Sequence, residues 1–172
     1  MYARYGKLLI GLFCLMWALP SAAQEAPQVP EPNTETHLFQ IVILIGSKEV
    51  ASSSTDVPAN VRKALDDISQ FLPYKGYRMV DTALIRSAGE GQGLMAGPDN
   101  HDYVVRLRYT KSLNKAGRIF VKEFQLADLS RRSNSILINT SFGVELRETI
   151  VVGSSKLNGG DEALIVLFTA VQ

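Results

Sequence analysis

Two histidines, His37 and His101, are the side chains in this 172-residue chain best suited to proton transfer or metal ligation. Imidazole titrates near neutrality, so either could serve as a general base. A base at one of them could meet a hydroxyl from Ser52, Ser53 or Ser54 in space. The chain has no strained Gly-x-Ser-x-Gly elbow to present such a nucleophile, however. A metal site would need a third His, Asp or Glu at ligand spacing, and none accompanies either histidine. Asp66-Asp67 and Asp81 read as isolated surface acids. No catalytic, cofactor-binding or metal-ligating residues are therefore assigned, no cofactor is expected, and the chain does not read as an enzyme.

Two glycine-bearing stretches resemble phosphate loops. "AGEGQGLMAG", residues 88–97, joins two apparent strands, whereas a dinucleotide fingerprint must run from a strand into a helix whose N-terminus receives the phosphate. The expectation is a flexible loop. "IGSK", residues 45–48, lacks the upstream glycine and the full spacing of a Walker loop.

One constellation survives as a candidate binding patch. Arg106, Arg108, Lys111, Lys115, Arg118 and Lys122 place six cations on a presumed hairpin with few acids between them. Such a cluster suits an anionic partner surface, lipid head groups or a cell-wall polymer. It also suits a solvated edge guarded against aggregation by charge.

The elements that must position these residues follow from periodicity. "HLFQIVILIG" is a β-rich run ending at Gly46, and "SKEVASSSTD" is a polar loop. "VPANVRKALDDISQFLPY" is the one convincing helix. Val57, Val61, Leu65, Ile68 and Leu72 form a single apolar stripe suited to packing on a sheet; Pro58 suits the first helical position and Pro73 stops the element.

Beyond the helix the period becomes two. "YRMVDTALIR" is a strand with a flaw in its alternation. "DYVVRLRYT" sets Tyr103, Val105, Leu107 and Tyr109 on one face and Val104, Arg106 and Arg108 on the other. "RIFVKEFQL" follows across "KSLNKAG". "ILINTSFGVEL" places Ile136, Ile138, Thr140, Phe142, Val144 and Leu146 on one side, the pattern of a half-buried antiparallel strand. "ETIVVGSS" and "EALIVLFTAV" close the chain as a hairpin around Asn158-Gly159-Gly160, their continuous apolar character implying burial on both faces.

The N-terminus reads as a leader. Arg4 and Lys7 precede an apolar stretch from Leu8 to Leu19, and Ser21-Ala22-Ala23 offers a cleavage site after Ala23. Residues 1–23 are thus expected to be a signal peptide, with an uncleaved membrane anchor as the alternative. Residues 24–36, rich in proline and polar side chains, are expected to be a disordered tether, and 37–172 the folded domain. Cys14, the only cysteine, lies in the leader, so the exported part would hold neither disulfide nor thiolate chemistry. Setting aside Arg4 and Lys7 from the 18 cationic residues leaves 16 against 17 acidic ones, a balance that gives no general attraction to nucleic acid.

The last residues carry a family resemblance. In "GVELRETIVVGSSKL", Glu148, Thr149, Ile150, Val151, Val152 and Gly153 resemble the secretin segment in which a turn leads into a Thr-Val-Val-(Ile/Val)-Gly-Gly strand. Ala163 to Val171 is similar to the apolar strand that ends the secretin core. A six-residue turn here replaces a longer secretin insert, and Ser154 replaces the second glycine. What the resemblance implies is a periplasmic, secretin-like β module with a role in assembly.

The expected fold is a single α+β domain, a mainly antiparallel sheet of about seven strands with one amphipathic helix. The expected location is the periplasm or the cell exterior. The expected role is a non-enzymatic interaction or assembly module, accessory to an envelope secretion or pilus system, with a periplasmic small-ligand or cell-wall-glycan binder as the alternative. Its partners would be envelope proteins, further copies of the chain included. Nucleic acid is not expected, and a membrane only through an uncleaved leader.

Overall fold

The computed structural model describes residues 35–49, 57–111, 116–130, 135–157 and 160–171. The leader, most of the tether, Ser52 to Ser54, Lys115 and Asn158-Gly159 lie outside these residues. The described residues belong to one compact unit, Glu31–Gln172.

Among the described residues, eight antiparallel strands follow one another as a meander: β1 (His37–Ser47), β2 (Gly76–Ser87), β3 (Glu90–Ala96), β4 (Asp102–Lys111), β5 (Arg118–Asp128), β6 (Ser135–Glu145), β7 (Thr149–Leu157) and β8 (Glu162–Ala170). They form two four-stranded sheets, ordered β2-β1-β8-β7 and β3-β4-β5-β6. The tail therefore pairs with itself, Thr149 opposite Thr169 and Leu157 opposite Glu162, while β8 returns to lie beside β1. Gly160, at φ +99, supplies the left-handed residue this last turn requires.

The sheets enclose an apolar layer joined by aromatic rings. Phe168 of β8 lies 5.2 Å from both Phe39 of β1 and Phe142 of β6, and meets Phe124 of β5 edge-on at 5.9 Å. Contacts of this geometry add about 0.5–1.5 kcal/mol each beyond the area they bury.

The one α-helix among the described residues, α1 (Ala59–Ile68), continues as a 3-10 turn over Ser69–Phe71. Its buried Val61, Ala64 and Leu65 join Val57 over Val42 and Leu44 of β1 and Ile165 and Leu167 of β8. Arg62, Lys63, Asp66 and Asp67 are exposed. Pro58 is the N-cap rather than the first helical residue, its carbonyl accepting from Arg62 N–H at 2.9 Å.

This asymmetric cover explains the two sequence textures. β1 and β8 occupy the middle of the first sheet, between α1 and the second sheet, and need apolar residues on both faces. β4 and β5 occupy the middle of the second sheet and bury mainly the inner face, so Tyr103, Val105, Leu107 and Tyr109 alternate with exposed Arg106 and Arg108.

Besides the position of Pro58, the structure departs from the sequence expectation in three places. The glycine-rich stretch is not a loop but strand β3, which raises the strand count to eight. Its inward Gly91 and Gly93 lie under Ile85 of β2, where a β-carbon would come within 2.8 and 3.1 Å of that side chain. Asp81 of β2 also accepts Ala96 N–H at 2.7 Å, tying the two sheets together along this seam. Secondly, a bulge in the β5–β6 register turns Ile136 outward, leaving it 54% exposed, although Ile138 and Val144 are buried. Thirdly, Leu146 lies beyond β6, in a bridge to Ala170, and is also exposed.

Candidate functional site

The outer face of the second sheet is ordered in cross-strand rows fixed by register. Leu94, Val104, Ala127 and Ile136 form an apolar row across all four strands. Its ends protrude, Leu94 being 73% exposed, while Val104 and Ala127 are buried. The neighbouring row is polar: Gln92, Arg106, Gln125 and Asn139, with Arg106 donating to Gln125 at 3.3 Å. The third is ionic: Arg108 lies 3.8 Å from Glu90 and 4.0 Å from Glu123.

The five described candidate cations, Lys115 lying outside the described residues, do not share one bare basic surface. Arg106 and Arg108 border a depression of about 440 Å³ whose floor and walls include Glu90, Gly91, Gln92 and Glu123. Lys111 and Arg118 instead border a second hollow of about 330 Å³ with Glu35 and His37. There Lys111 Nζ donates to Glu35 at 2.7 Å, and this bond, with the lysine charge, holds the Glu35 carboxyl below its usual range. Arg118 reaches across the strand pair so that its guanidinium occupies the space left by Gly143. Lys122, at the β5 bulge, is exposed and has no ion pair among the described residues. Three glutamates distant in sequence or on facing strands thus lace the cationic hairpin.

The histidines have separate environments. His37 is buried beside Tyr109, with Nε2 3.7 Å from Glu35. His101 directs Nδ1 to Asp128 Oδ2 at 3.0 Å. Asp128 is 2% exposed, and its other oxygen accepts from Ser130 N–H at 2.9 Å and from the Ser130 hydroxyl. Burial acts most strongly on this carboxyl and pushes its pKa up. The Ser130 hydrogen bonds and then the His101 interaction together outweigh burial, and the carboxyl sits below its usual range.

The geometry is that of an oriented imidazole, not a triad. Ser130 bonds the carboxylate rather than the free imidazole nitrogen, so the nucleophile–base–acid order is missing. Among the described residues no group of three His, Cys, Asp or Glu side chains could hold a metal ion. The histidine–aspartate contact has one faint signal in the sequence, that Asp128 follows inward Leu126 at a spacing of two.

His101 and Asp128 line a cleft of about 360 Å³ where β6 and β7 part, together with Ser135 and Leu137 of β6 and Ser155 and Leu157 of β7. Among the described residues no helix is long and apolar enough to cross a membrane. Comparison of the chain with known protein families, with curated proteins and with solved structures gives no match.

Proposed function

We propose that the chain is a non-enzymatic interaction or assembly module of the bacterial cell envelope, accessory to a secretion or pilus system, that engages a protein partner through the outer face of β3–β6. The observation that carries this reading is the apolar row Leu94–Val104–Ala127–Ile136 with protruding ends, bordered by polar and ionic rows. An apolar strip rimmed by polar groups is the make-up of a protein interface. Arg106 and Lys122, which lack carboxylate partners among the described residues, favour a partner that brings acidic side chains to the rim. The leader and the secretin-like tail hairpin support a periplasmic location and an assembly role.

The test is light scattering of the exported domain with and without envelope extract, using Leu94→Asp and Lys63→Asp variants. A mass increase lost in Leu94→Asp and kept in Lys63→Asp, on the helix face, supports the reading; a monomer that gains no mass contradicts it.

A second reading has its own observation. The depression of about 440 Å³ brings the glycine-rich strand beside the basic hairpin and offers carboxylates, guanidinium groups and amides to sugar hydroxyls. A cell-wall-glycan binder of this kind would gain thermal stability when soluble cell-wall fragments exceed their dissociation constant.

A further inference from the structure

The interior of the two-sheet body changes character toward one end. Pairing places Val105 beside Leu126, and Leu126 beside Ile138, in an apolar layer. One step further along the same inward positions stand Tyr103, Asp128 and Ser135. His101 precedes Tyr103 by two residues and shares its side of the strand. Ser155, opposite inward Leu164, brings a hydroxyl from β7. The strands β6 and β7 meet where Ile138 packs on Gly153, and beyond that contact they enclose the cleft of about 360 Å³.

Inward positions of a β body are ordinarily apolar, and a polar cluster there costs stability unless its groups are satisfied. Asp128 is satisfied, both oxygens being engaged by His101 and Ser130. The consequence falls on His101. With Nδ1 held by the carboxylate, Nε2 is the nitrogen left for a visitor, and it has no partner among the described residues.

The turn that carries His101 is itself fixed. Gly97 N–H donates to the His101 carbonyl at 2.7 Å, His101 N–H donates to the Pro98 carbonyl at 3.2 Å, and Asn100 takes φ 59. Such a left-handed residue is tolerated by Asn and absorbs the tight return of the chain.

We propose that this mouth, between His101 and the Ser135 and Ser155 hydroxyls, binds a small, neutral, hydroxyl-bearing molecule of about monosaccharide size. A neutral imidazole that donates Nδ1–H to Asp128 presents Nε2 as an acceptor, which a ligand hydroxyl satisfies. The serine hydroxyls supply both donors and acceptors. Leu137 and Leu157 give the apolar walls that a carbon skeleton needs. The cleft volume lies at the lower end of the range for small-molecule sites, and mouths of β bodies are recurrent places for them. Asp128 is thus a positioning residue and His101 the contacting one. The cleft shares Ile136 with the end of the outer-face apolar row, but the proposal does not rest on that interface.

The test is an NMR titration of the exported domain, reading the His101 ring resonances against glycerol, glucose and N-acetylglucosamine, with acetate as the anionic probe. A saturable shift with at least one hydroxylated probe is expected, weakened about tenfold or more in His101→Ala, the loss of a ligand hydrogen bond in a partly buried site. Lys63→Ala, on the exposed side of α1, should leave the affinity unchanged. A Ser155→Ala variant, whose backbone pairing with β8 is retained, guards against a folding defect in His101→Ala and should also weaken binding. No saturable shift with any hydroxylated probe, equal affinity in both mouth variants and the wild type, or a response to acetate alone would each overturn the proposal.

Discussion

Ile85 Cγ2 of β2 stands 2.8 Å from the position a β-carbon on Gly91 of β3 would take. The contact spans the seam between the sheets, and it gives the glycine-rich segment a structural reason unrelated to phosphate binding. Gly91→Ala should overpack this seam and cost about 1–3 kcal/mol, read as a lower urea midpoint. Ile85→Ala in the same chain should recover part of that loss, a non-additivity that only direct contact produces. Gly89→Ala makes a useful comparison. Gly89 has open space around its β-position but φ +97, so its cost of about 1–2 kcal/mol is conformational and Ile85→Ala should not relieve it.

Asp128 connects the β5 end to the His101 turn, and its stability contribution has a definite sign with pH. Its folded pKa is depressed, so the unfolded chain binds the proton more readily. The stabilisation is fully present above the free aspartate value of about 3.9 and is lost as pH falls through the folded value. Asp128→Asn should therefore lower the unfolding free energy by about 1–3 kcal/mol at neutral pH. The difference from wild type should shrink on acidification below that window, as measured by urea melts across the acid range.

Leu167 and Leu84 sit on the same sheet with opposite expectations. Leu167 is fully buried beneath α1, and Leu167→Ala should cost about 2–5 kcal/mol. Leu84 is 65% exposed on β2, beyond the helix cover, and Leu84→Ala should change stability by no more than about 0.5 kcal/mol. Thermal melts of the two variants locate the edge of the covered area.

Arg108 distinguishes stability from recognition. Its side chain is 63% exposed, its two carboxylate contacts are 3.8 and 4.0 Å long, and exposed pairs of this kind contribute less than about 1 kcal/mol. Arg108→Ala should melt within a few degrees of wild type yet weaken capture of the proposed envelope partner, as seen by comparing melting curves with binding isotherms.

Much of the fold was legible because burial imposes its period on the chain. The both-sided burial of β8 follows from an unbroken apolar run, and the mainly one-sided burial of β4 from the alternation of Val105, Leu107 and Tyr109 with Arg106 and Arg108. Bulges hid the remainder. Leu137 adds a residue opposite β5, so Ile136 faces water even though its spacing from Ile138 assigns it to the core. The glycines of β3 concealed a strand, since their lack of side chains reads as a loop until Ile85 is seen to fill the space. The cationic hairpin was legible as charge, but Glu35 and Glu90, far away in sequence or on another strand, reach it only in the folded chain. The His101–Asp128 contact joins the ends of two strands 27 residues apart, beyond the reach of any local pattern.

The most direct measurement of the proposed role is site-specific photocrosslinking in native envelopes, with the photoreactive residue at position 94 on the outer face of β3 or at position 63 on the exposed side of α1. A discrete crosslinked protein from position 94 that is absent from position 63, and that disappears when Ile136→Asp is introduced, is the predicted result. Equal crosslinking from both positions, or none from position 94, would contradict an interface on β3–β6.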